Sequence, residues 1–126
     1  NASLQNINHF NRRCNLSITI GEPASISAGI EVFGLLTEHA FMRLNLERIE
    51  DGTHDALLKF VKMLSVIGYE IEGISKRFFL KDNVWSSKIN FSVLKDDFFK
   101  LRSERDNKIL FSDHNDLRKA IISSLK

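Results

Sequence analysis

Ser25-Ile26-Ser27-Ala28-Gly29-Ile30-Glu31-Val32-Phe33-Gly34-Leu35-Leu36 is the stretch on which the fold turns. Ile26, Ala28, Ile30 and Val32 alternate with other residues, as on a half-buried strand. Ile26, Ile30 and Phe33 also share the spacing of a helical stripe. Gly29 and Gly34 weaken both readings, the helix somewhat more. The following segment favours the strand. Met42, Leu44 and Leu46 alternate with Arg43, Asn45 and Glu47, so Thr37-Glu38-His39 reads as a hairpin turn between two strands.

Upstream, Leu4, Ile7 and Phe10 lie three apart, which predicts a short amphipathic helix over 4–13. Leu16, Ile18 and Ile20 alternate with Ser17 and Thr19 and predict a strand ending at Gly21. Downstream, Asp51-Gly52 closes the ribbon and Thr53 is a good N-cap. Leu57, Phe60, Val61, Leu64 and Ile67 then mark one face of a helix over 54–67, with Gly68 as its stop. Strands follow at 69–72, continuing through 78–80, and at 88–93, joined by a turn at Lys81-Asp82-Asn83. Leu94, Phe98 and Leu101 predict a helix around 94–104. Ile109-Leu110-Phe111 reads as a short strand, and Asp113 caps a last helix carrying Leu117, Ala120, Ile121 and Leu125.

In order this is helix–strand–strand twice, then a helix–strand–helix tail. The expected fold class is therefore α+β and ferredoxin-like: an antiparallel sheet with helices on one face. Residues 4–94 would form the core and 95–126 a C-terminal extension. The 126 residues suit one domain. Asn1-Ala2-Ser3 lacks a starting Met and reads as the scar of a tag ahead of an excised domain.

Composition is globular, with 43% hydrophobic and 27% charged residues. No apolar run approaches the roughly 18 residues of a membrane span. The net charge of +2 is too small to argue for nucleic acid, but it is unevenly spread. Residues 1–75 carry 6 basic and 9 acidic side chains, a net of −3, and residues 76–126 carry 12 and 7, a net of +5.

The residue types that carry chemistry are sparse. Cys14 is alone and reads as a half-buried small hydrophobe. His9, His39, His54 and His114 never fall at the i, i+4 spacing of a helix-borne zinc pair, so no metal site and no cofactor are expected. No glycine-rich phosphate loop and no nucleophile elbow are present. Glu47, Glu50, Asp51, Glu70 and Glu72 cluster in sequence. Two of them meeting in space would make an acid–base pair, but the alternation puts each on a solvated face. Lys76, Arg77, Lys81, Trp85 and Lys88 surround Phe78 and Phe79, and basic residues among aromatics on a sheet are a candidate nucleic-acid face.

The strand Leu44-Asn45-Leu46, the run Glu50-Asp51-Gly52-Thr53-His54-Asp55-Ala56-Leu57-Leu58-Lys59-Phe60-Val61-Lys62-Met63-Leu64 and the strand from Tyr69 together resemble the central part of the PilO and type II secretion M-protein family. These are inner-membrane components of type IV pilus and secretion machines. The resemblance implies a non-catalytic assembly domain, no catalytic residues, a homodimer or a neighbouring component as partner, and a periplasmic location. The alternatives are a cytoplasmic nucleic-acid-binding regulatory domain, using the basic residues above, and a small-molecule sensor with a pocket under the sheet.

Overall fold

The structure, a computed structural model, describes residues 2–18, 26–105, 122, 123 and 125. The ambiguous stretch is helical: α1 spans Ile26–Met42. Gly29, Ile30, Phe33, Gly34, Thr37, Ala40 and Phe41 are buried, a continuous i, i+3, i+4, i+7 stripe. The stripe becomes legible only when the window runs past Leu36 to Phe41. Met42 is the last residue of α1, and Leu44 and Leu46 lie in its exit turn. There the Leu44 and Leu46 N–H groups donate to the His39 and Ala40 carbonyls at 3.3 and 3.1 Å. No ribbon over 26–49 forms.

The first segment departs from expectation in the opposite sense. Strand β1 covers Ala2–Asn8 and β2 covers Arg13–Ile18, antiparallel, with Leu4 opposite Leu16. The three-residue spacing of Leu4, Ile7 and Phe10 marks no buried stripe, since Phe10 is 94% exposed at the hairpin tip. In that tip the Asn8 side-chain oxygen accepts from the Asn11 N–H at 2.9 Å, and Arg12 adopts φ 53.

Strand β3 is Arg48–His54 and runs through Asp51-Gly52 and Thr53, which the sequence reads as the close of a ribbon and a helix cap; from there to Ser103 the chain follows the sequence reading. A helical run follows: a 3-10 turn Asp55–Leu57, helix α2 Leu58–Met63 and a 3-10 turn Leu64–Ile67. His54, rather than Thr53, caps it, its Nδ1 accepting from the Ala56 N–H at 3.0 Å. Gly68 ends the run at φ 100. A side chain there would also crowd Val93 and Leu101. Strands β4 (Glu70–Lys81) and β5 (Val84–Leu94) form a hairpin, and α3 is Lys95–Ser103. The strand expected at 109–111 and the start of the helix from Asp113 lie outside the described residues.

The sheet order is β1-β2-β3-β5-β4. β2 and β3 are parallel, joined by α1, whereas every other neighbouring pair is antiparallel. The ferredoxin-like expectation fails here. With 26–42 helical, the unit is a strand–helix–strand crossover, and such a connection makes a parallel pair. One face of the sheet carries the core. Cys14, Leu16, Ile49, Ile89, Phe91 and Val93 pack against Ile30, Phe33 and Phe41 of α1, Val61 of α2 and Phe98 of α3. Phe33 meets Phe60 and Tyr69 edge-on at 5.6 and 5.7 Å, and Tyr69 meets Phe91 at 5.8 Å. The buried Thr37 hydroxyl donates to the Phe33 carbonyl at 2.6 Å and shares a hydrogen bond of 2.9 Å with the Tyr69 hydroxyl.

Candidate functional site

Two parallel strands that pair along their whole length leave no room between them. β2 and β3 pair only at Arg13–Arg48, Cys14–Ile49 and Asn15–Glu50. β2 continues to Ile18, held by β1, and β3 continues to His54, held by β5. The two strands therefore part beyond Asn15 and Glu50, and a gap opens at their carboxyl ends. Open sheets place ligands at the carboxyl ends of parallel strands. Successive residues of a strand turn their backbone groups to opposite sides, so along Asp51–His54 half of those groups face the gap.

A cleft of about 460 Å³ lies at this point, lined by Asn15, Arg48, Glu50, Asp51, Gly52, Glu72, Lys88 and Asn90 among others. The Gly52 N–H, just past the last paired residue, donates to the Asp51 Oδ1 at 2.8 Å. Burial pushes the Asp51 carboxyl above its ordinary value. The Gly52 hydrogen bond and the Lys88 ammonium oppose that shift without cancelling it.

Glu72 has the contrary environment. A bulge between Ile71 and Gly73 of β4 places an extra residue there, and that residue is Glu72. Its carboxylate takes Arg48 Nη1 at 2.5 Å and Arg48 Nη2 at 2.9 Å, and accepts from the Ser92 hydroxyl. These partners, Arg48 first, pull its pKa down to about 2. Arg48 also holds Glu50 at 2.9 Å, and its own pKa is raised, chiefly by the bond to Glu72. One carboxyl is thus fixed in the charged form while the other is biased towards accepting a proton. A divergence of this kind makes the two carboxyls candidates for acid–base chemistry.

Beyond Gly52 the solvated face carries a second cluster. His54 stacks on Phe79 at 5.4 Å and 27°, Phe78 meets Phe79 edge-on at 5.0 Å, and Lys88 Nζ sits 4.5 Å from the Phe78 centroid. The Lys88 stem crosses Gly52 so closely that a Cβ there would meet its Cε at 2.0 Å.

The residues expected to form a nucleic-acid face, Lys76, Arg77, Lys81, Trp85 and Lys88, all lie in the β4–β5 hairpin. They do not share a face. Trp85 pairs with Leu80 on the helix side of β5, and Lys88, three residues on, lies on the other side. Arg77 sits in a bulge at φ 51. Of the clustered carboxylates, Glu50 and Glu72 are brought together through Arg48, while Glu47 pairs with Arg12 at 2.9 Å. Cys14 is buried, and its thiol is pushed up to about 11, chiefly by that burial, so it is no nucleophile. Among the described residues no group of His, Cys, Asp and Glu is arranged to hold a metal. The gap itself left one trace in the sequence, the Asp51-Gly52 dipeptide, which reads as a turn until β3 is known to run through it.

No protein-family model matches the chain, and no curated protein matches it in sequence. Solved structures do match in fold. Mutant forms of the spermidine/spermine N-acetyltransferase SpeG from Vibrio cholerae align at a TM-score of 0.72 with 18% identity, covering 79% of this chain and 60% of theirs. A further SpeG mutant from Vibrio cholerae gives 0.72 and 18%, covering 81% and 60%. A putative acetyltransferase gives 0.69 and 21%, covering 81% and 55%. The chain thus has the GNAT acetyltransferase fold and spans about 60% of the length of these neighbours. The PilO and type II secretion M-protein resemblance is overturned: the stretch Arg43–Glu72 that carried it belongs to an acetyltransferase-type sheet. The helix-face pattern Leu57, Phe60, Val61 and Leu64 is common to many helices packed on sheets, which is why it misled. The expectation of a non-catalytic assembly, pilus or secretion domain rested on that resemblance and falls with it; the solved structures that share the fold are those of acetyltransferases.

Proposed function

We propose that this chain is the acyl-donor-binding part of an N-acyltransferase, moving an acyl group from a thioester to an amine. The observation that carries this reading is the gap between the parallel strands β2 and β3, within a fold shared with N-acetyltransferases. An extended acyl carrier entering the gap would hydrogen-bond the free backbone groups of β3 as an added strand does. Its carbonyl would take the Gly52 N–H in place of the Asp51 carboxylate. A backbone donor aimed at the carbonyl oxygen stabilises the negative charge that develops there. Asp51, released from Gly52 and with its pKa already raised, accepts the proton of the incoming ammonium group. The amine nitrogen then bonds to the carbonyl carbon, the carbon–sulfur bond breaks, and the sulfur leaves with the electron pair and takes up the second proton that the nitrogen gives up. Glu72 stays charged throughout and fixes Arg48 between β3 and β4.

Acetyl-coenzyme A, a group carrier of this type, tests the reading by amide hydrogen exchange. Its binding slows exchange at Asp51–His54 by tenfold or more while leaving the buried α1 amides unchanged. Equal exchange with and without the thioester, together with no acetylation of any amine, would refute the reading.

A further inference from the structure

Building on that reading, we infer that the shelf of His54, Phe78 and Phe79, with Lys88 at its rim, selects an acyl acceptor carrying an aromatic ring and an anionic group. The shelf and the cleft lie on the same face of the sheet. His54 is opposite Lys88 in the β3–β5 register and Gly52 is opposite Asn90, and Lys88 lines the cleft. Along β3, Gly52 and His54 are two residues apart on that face, about 7 Å. An acceptor whose amine attacks a carbonyl held at the Gly52 N–H therefore reaches the shelf with a ring a few bonds away.

The core does not explain these rings. The apolar residues of β5 that pack under the helices are Ile89, Phe91 and Val93, whereas Phe79 is opposite Ser86, on the solvated side. Phe78 remains 52% exposed. His54 stacked flat on Phe79, with Phe78 edge-on beside it, makes a ring cluster next to the cleft and a surface suited to another ring. Charge decides what else that ring carries. Lys88 stands over Phe78, and Lys76, Arg77 and Lys81 lie on the same hairpin. On the acidic side, Asp55 is held 3.1 Å from His54, and Glu50 and Glu72 are both bound to Arg48. A polycation such as spermidine, the substrate class in the names of the fold neighbours, would meet the Lys88 ammonium at the shelf and carboxylates already bonded to Arg48 in the cleft. An aromatic amine with a carboxylate or phosphate meets the opposite.

Binding is measured without a thioester, by aromatic NMR shifts of the full chain, with L-tryptophan, tryptamine and spermidine as probes. L-tryptophan is expected to move the His54, Phe78 and Phe79 ring signals, tryptamine to bind several-fold more weakly, and spermidine to leave the rings unmoved. Phe79→Leu, which keeps an apolar side chain and removes the ring, weakens tryptophan about fivefold. Lys88→Met removes the preference for tryptophan over tryptamine. Unchanged signal dispersion in each variant excludes misfolding as the cause. Spermidine binding at the shelf, or tryptophan binding indifferent to both substitutions, overturns the inference. An acetylation assay on the same probes separates the two levels. Transfer to spermidine and tryptophan alike, unaffected by Phe79→Leu, keeps the acyltransferase and rejects the shelf. Ring-selective binding with no transfer to any amine keeps the shelf and rejects the acyltransferase.

Discussion

The two edges of β3 are made differently. Towards β5 it is paired from Arg48 to His54 without a break. Towards β2 it is paired only as far as Glu50. The same seven residues thus belong to a closed ladder on one side and an open one on the other. The closed side has its reward in packing. Ile49 and Val93 are opposite one another and buried, Ile89 and Phe91 are buried further along β5, and the aromatic chain Phe60–Phe33–Tyr69–Phe91 lies beneath. The open side has no such cover. Its first free N–H is satisfied by a side chain, Asp51, which can give it up. Stability and site are divided between the edges of one strand, so substitutions on the two sides are expected to separate the two properties.

Breaking the closed side has the largest effect. Phe33→Ala removes a ring that is 1% exposed and touches both Phe60 and Tyr69. Truncations of this kind cost about 3–5 kcal/mol, a large part of the roughly 5–15 kcal/mol that holds a domain together. Urea denaturation should show a midpoint lowered in proportion. An unchanged midpoint would mean that α1 contributes little to the sheet beneath it.

On the open side the expected sign is reversed. Asp51→Asn keeps a side-chain oxygen for the Gly52 N–H but cannot accept a proton. Acyl transfer should fall at least 100-fold, as on loss of a general base. Stability should not fall with it. A carboxyl whose folded pKa is raised contributes stability that is fully present below its ordinary value of 3.8 and lost as pH rises through the folded value. The Asn variant never bears that loss, so at neutral pH its melting temperature should equal or exceed that of the parent, and below pH 3 the two should converge. A variant that loses activity and melts lower at pH 7 would make Asp51 a structural residue.

The sequence spoke clearly where local signals agreed with the fold. Leu57, Phe60, Val61 and Leu64 with Gly68 define the helical run, and the alternation at 88–93 defines β5. It failed where two periods were superposed. Ile26, Ala28, Ile30 and Val32 satisfy a period of two over a short window, while the stripe that wins, Ile30, Phe33, Thr37, Ala40 and Phe41, includes a threonine and an alanine that a search for large hydrophobes passes over. Thr37 is buried because Tyr69 gives its hydroxyl a partner 32 residues away, and no local pattern reports that. The site was less legible still. Glu50, Asp51 and Glu72 were visible as acids, but their division into one held charged and one pushed towards protonation depends on Arg48, on the bulge at Glu72 and on where β2 parts from β3.

The smallest expected effect concerns what keeps the outer face of β3 aligned with the closed side. Arg48 on β3, Ser92 on β5 and Glu72 on β4 are bonded in a strut across three strands. With its folded pKa lowered to about 2 from 4.5, Glu72 contributes stability that is present above pH 4.5 and lost as pH falls towards 2. The pair is half-exposed, with Glu72 at 41%, so solvent screening limits its value to under about 1 kcal/mol. Arg48→Met should therefore barely move the melting temperature at pH 7, yet it should shift the Glu72 carboxyl titration, followed by carbon-13 NMR, upward towards its ordinary value. A Glu72 midpoint unmoved by the substitution would assign the shift to Ser92 instead. It would also detach β4 from β3, leaving β5 alone to transmit any movement at the gap to the shelf.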